Sequence, residues 1–167
     1  VDFTNLGEVR TVKTGTVGTQ DSLAYAVLIQ NADTIAFRNE GTLATDGSES
    51  VTVSLEGRDV RFTNTGTITN SISVDGARFI SNRPVGVAVT ASPTNAANLM
   101  IDNSGTIEGV DTQRDPNFPY YSAVNYSNFA FNGRGSIDFR NSGDLVRNGL
   151  NIIASAQSDN DTLVFNG

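Results

Sequence analysis

A short phrase recurs five times along the chain and constrains the fold more than any other feature. It reads Phe3-Thr4-Asn5-Leu6-Gly7-Glu8-Val9, then Phe37-Arg38-Asn39-Glu40-Gly41-Thr42-Leu43 and Phe62-Thr63-Asn64-Thr65-Gly66-Thr67-Ile68. It returns as Ile101-Asp102-Asn103-Ser104-Gly105-Thr106-Ile107 and as Phe139-Arg140-Asn141-Ser142-Gly143-Asp144-Leu145. The shared rule is apolar-x-Asn-x-Gly-x-aliphatic. A unit repeated in this way buries its apolar face only by stacking on its neighbours. Successive copies start about 34, 25, 39 and 38 residues apart, so the phrase is constant while the intervening segment varies, and solenoids carry such variation in outer loops.

Alternation inside each copy predicts strands. Ile35 and Phe37, Val60 and Phe62, Leu99 and Ile101, and Ile137 and Phe139 are apolar pairs two residues apart. Arg38, Arg61, Thr63, Asp102, Asp138 and Arg140 lie between and beside them. A period of two sends the first set inward and the second outward. The residue two past Gly is again aliphatic, so the chain turns at Asn-x-Gly and enters a second strand facing the same interior. A third strand is expected at residues 24–29, 51–55, 85–89, 123–126 and 150–154, each rich in small aliphatic residues, most of them in turn-prone surroundings. Together these predict an all-β parallel β-helix (β-solenoid) of about five coils with three short strands each. Residues 1–167 are read as a single domain with an inserted loop at about 108–122.

The turn residues have structural roles. Gly7, Gly41, Gly66, Gly105 and Gly143 are expected to supply positive φ, and Asn tolerates left-handed geometry. Stacked turns would place Asn5, Asn39, Asn64, Asn103 and Asn141 one above another, about 4.8 Å apart, where their amides bond as an Asn ladder.

Several chemistries are excluded by composition. Cysteine and histidine are both absent, which removes disulfides, thiolate metal sites, the usual zinc ligands and every Ser/His or Cys/His nucleophile. No cofactor or metal is expected. A net charge of −7 argues against nucleic acid as a partner. No apolar run is long enough to insert this chain in a membrane. The final Leu163-Val164-Phe165-Asn166-Gly167 looks like another copy begun, so the chain is expected to be a piece of a longer repeat protein. Open strand edges at the ends of the stack would permit self-association.

The Asn-x-Gly-Thr-Ile phrase, the alternating apolar positions and the closing Asn160-Asp161-Thr162-Leu163-Val164-Phe165-Asn166-Gly167 resemble the β-solenoid passenger regions of Gram-negative autotransporters and large surface adhesins. That resemblance covers nearly the whole chain. It implies a right-handed β-helix, export to the cell surface or the extracellular space, and adhesion to a host or neighbouring-cell glycan or protein. The unequal spacing of the copies departs from a strict repeat.

Binding residues concentrate in loops on rigid scaffolds, which directs attention to the insertion. It holds Asp111, Arg114, Asp115, Phe118, Tyr120 and Tyr121, with rings to stack on a sugar or protein and polar groups to orient it. The same rings could instead cover the flank of the stack. Tyr126, Phe129 and Phe131 are expected to face the core, alternating with outward Asn125, Asn128 and Ala130. Asp159, Asn160 and Asp161 have oxygen donors but lack a calcium-binding framework. The enzymatic alternative is a polysaccharide lyase or glycosidase, which needs paired carboxylates. Asp102 and Asp138 would supply a pair if they stood side by side on adjacent coils. A third class is structural, a spacer or self-assembling filament.

Overall fold

The computed structural model describes residues 1–12, 24–46, 50–72, 86–93, 97–111, 126–133, 135–147, 150–156 and 162–166. Among them the chain forms strands and no helix. In order these are β1 (Asp2–Asn5), β2 (Glu8–Val12), β3 (Ala24–Asn39), β4 (Thr42–Asp46), β5 (Ser50–Asn64), β6 (Thr67–Ile72) and β7 (Gly86–Pro93). They continue as β8 (Ala97–Asn103), β9 (Thr106–Asp111), β10 (Tyr126–Gly133), β11 (Gly135–Asn141), β12 (Asp144–Arg147), β13 (Leu150–Ala156) and β14 (Thr162–Asn166).

Every strand pairing described is parallel, and the strands divide into two sheets. The strands that follow the turn glycine form a five-stranded sheet ordered β12-β9-β6-β4-β2. All the others belong to a nine-stranded sheet with the path β13-β10-β7-β5-β8-β11-β14, to which β3 and β1 are added. Equivalent residues of the phrase are register partners throughout: Phe3 faces Phe37, Phe37 faces Phe62, Phe62 faces Ile101 and Ile101 faces Phe139.

Two sheets replace the three separate strands per copy expected from the sequence. β3 is 16 residues long and β5 is 15, because each joins the third strand of one copy to the first strand of the next. The joint in β3 is a bulge between Ile29 and Ala32, where Asn31 takes a φ of 57°. Asn visits that conformation at low cost because its short polar side chain bonds locally. At the bend the pairing with β5 shifts register and resumes with Ala32 opposite Gly57.

The alternating apolar positions lie inside. Ile35, Phe37, Val60, Phe62, Leu99, Ile101, Ile137 and Phe139 are buried, whereas Arg38, Arg61, Asp102 and Arg140 are exposed. Strand spacing in a sheet is about 4.8 Å, so like residues stack ring on ring. Phe3 and Phe37 lie 5.1 Å apart with planes 7° from parallel, and Phe37 and Phe62 follow at 5.2 Å and 4°. The fourth copy has Ile101 in this column. Phe129 of β10 compensates, meeting Phe62 edge-on at 5.9 Å and Phe139 edge-on at 5.1 Å. Edge-to-face rings are as favourable as offset stacks, so Phe129 carries the aromatic contact past the smaller Ile101.

Candidate functional site

The turn row is the feature common to all five copies. Asn5 Nδ2 donates to Asn39 Oδ1 at 2.8 Å, Asn39 Nδ2 to Asn64 Oδ1 at 2.8 Å, Asn64 Nδ2 to Asn103 Oδ1 at 2.7 Å, and Asn103 Nδ2 to Asn141 Oδ1 at 2.7 Å. Each Nδ2 also donates to the carbonyl of the glycine two residues on, at 2.9–3.3 Å. An amide nitrogen has two hydrogens, and in the inner copies both are used. The backbone closes the same contact. Glu40 and Gly41 N–H groups donate to Asn5 O at 2.9 and 3.1 Å, and Thr42 N–H donates to Gly7 O at 2.7 Å. The pattern recurs at Thr65, Gly66 and Thr67, at Ser104, Gly105 and Thr106, and at Ser142, Gly143 and Asp144. Such a row is saturated, and in its inner copies offers no amide hydrogen to a ligand.

Positive φ is not what the turn glycines provide. Among the described residues the only glycine with positive φ is Gly135, at 106°. A Cβ on Gly41 would lie 2.0 Å from Gly7 O, and one on Gly66, Gly105 or Gly143 would lie 2.1 Å from the carbonyl oxygen of the preceding turn glycine. Glycine is required here because one backbone passes directly over another. Gly7 has nothing within 4 Å of that position.

A second polar group lies inside, where the five-stranded sheet leads back to the nine-stranded one. Thr45, Ser50, Thr52 and Asn70 are buried. Thr45 and Thr52 hydroxyls are 2.7 Å apart, and Asn70 Nδ2 donates to Thr45 Oγ1 at 3.0 Å and Ser50 Oγ at 2.9 Å. Thr52 Oγ1 donates to Thr69 O at 3.1 Å. Sequence reasoning did not single these residues out. Alternation held the signal, since Thr45 and Asn70 each lie two residues past the inward Leu43 and Ile68. Asn128 also departs from its expected outward position. It is buried, and its Nδ2 donates to Ile107 O at 3.2 Å, which ties the start of β10 to β9.

On the outer face, Arg38 pairs with Glu40, and Arg140 pairs with Asp138 at 2.7 Å. Asp138 hydrogen-bonds and attracts Arg140, holding its guanidinium above the usual range. Register sets Asp102 opposite Arg140 and Asp138 opposite Met100, so the two carboxylates do not stand side by side. Of the insertion residues, Asp111 ends β9 opposite Ile72. Arg114, Asp115, Phe118, Tyr120 and Tyr121 lie outside the described residues, as do Asp159, Asn160 and Asp161. Among the described residues no group of three or more acidic, His or Cys side chains could hold a metal ion, and no helix is long and apolar enough to cross a membrane. Comparisons with known protein families, curated proteins and solved structures find no match.

Proposed function

We propose that the chain is a right-handed parallel β-helix that serves as a non-catalytic stalk or adhesive segment of an exported surface protein. The observation that supports this reading is the unbroken chain of Asn side-chain bonds from Asn5 to Asn141, with phrase-on-phrase register in both sheets. Stacking of that kind builds a stiff rod, and five turns would rise about 24 Å. Repeat scaffolds of this design are extended by adding copies, so reach scales with copy number. The outer face carries paired charges, which suits a solvated spacer better than a cleft for chemistry. In this reading the insertion that leaves β9 carries recognition of a surface glycan or protein, through Phe118, Tyr120 and Tyr121 with Asp111, Arg114 and Asp115 around them.

The test is a glycan-array and cell-binding assay of the chain beside a variant with Phe118, Tyr120 and Tyr121 changed to Ala, both verified as β-folded by circular dichroism. Binding that disappears only in the variant supports adhesion through the insertion. Equal binding by both would move recognition elsewhere. Absence of binding by either, with both folded, leaves the stalk.

A further inference from the structure

We draw no further inference here: the strongest candidate, the corner where β6 and β9 end side by side with Ile72 opposite Asp111 and the chain departs into residues 73–85 and 112–125, rests on segments that lie outside the described residues.

Discussion

The Asn-x-Gly turn and the junction between β4 and β5 both bury polar groups between stacked strands, yet they do so in opposite ways. At the turn one solution is copied: Asn5, Asn39, Asn64, Asn103 and Asn141 occupy one register position, and each amide is bonded alike. At the junction the equivalent register positions hold Thr11, Thr45, Asn70 and Gly109, and each is satisfied individually. Thr11 Oγ1 donates to Tyr25 O at 2.9 Å, Thr45 meets Thr52, and Asn70 reaches back to Thr45 and Ser50. Beside Gly109, which has no side chain to offer, Asn128 bonds Ile107 O from the facing strand. The turn has a fixed length, so its chemistry can repeat. The junction absorbs segments of different length, so each copy improvises.

That contrast can be broken experimentally, and the largest effect is expected in the middle of the amide row. Asn64→Ala removes the acceptor for Asn39 and the donor for Asn103, both buried. Orphaning buried partners at two sites should cost about 4 kcal/mol, read from the urea midpoint. A midpoint shifted by less than a quarter of that would mean the row contributes order but little stability. Gly66→Ala comes next, because its Cβ would sit 2.1 Å from Gly41 O and force the strands apart. A loss of about 3 kcal/mol is expected, against a change within about 0.5 kcal/mol for Gly7→Ala, where nothing is near. Equal effects at the two glycines would refute the argument from backbone proximity.

Substitution at the junction should be milder. Asn70→Ala leaves Thr45 and Ser50 hydroxyls, which can rotate towards each other's partners, so about 2 kcal/mol is expected. A loss as large as that at Asn64 would erase the distinction between a copied and an improvised corner. The smallest effect concerns Tyr25, whose phenol is pushed above its ordinary value of 10.0 by burial. The unfolded chain then ionises first, so stability is full below about pH 10 and declines as pH rises through the higher folded value. Tyr25→Phe should flatten that alkaline decline, measured by thermal unfolding from pH 9 upward.

Much of the architecture is legible in the sequence because the turn repeats. Five copies of one phrase mark where strands stop and restart, and period-two alternation separates Phe37 and Phe62 from Arg38 and Arg61. The reason for the glycines was not legible. A conserved-looking turn suggests left-handed backbone, whereas the distance between Gly41 and Gly7 exists only once the copies are stacked. The buried Thr45, Ser50, Thr52 and Asn70 were missed because Ser and Thr are ordinary on exposed strand faces. Alternation already turns Thr45 and Asn70 inward, and the approach of β5 to β4 supplies their hydrogen-bond partners.

By itself, then, the sequence determined parallel strands, the position of every Asn-x-Gly turn and which apolar residues of the phrase face inward, since these depend on periods of a few residues and on local turn chemistry. Tertiary structure alone decided that third and first strands fuse into β3 and β5, so that two sheets form. It also decided that Phe129 replaces the missing ring beside Ile101 and that Gly7 differs from its four counterparts. These outcomes depend on what lies one copy away, some 25 to 39 residues along the chain, a distance that no local pattern spans.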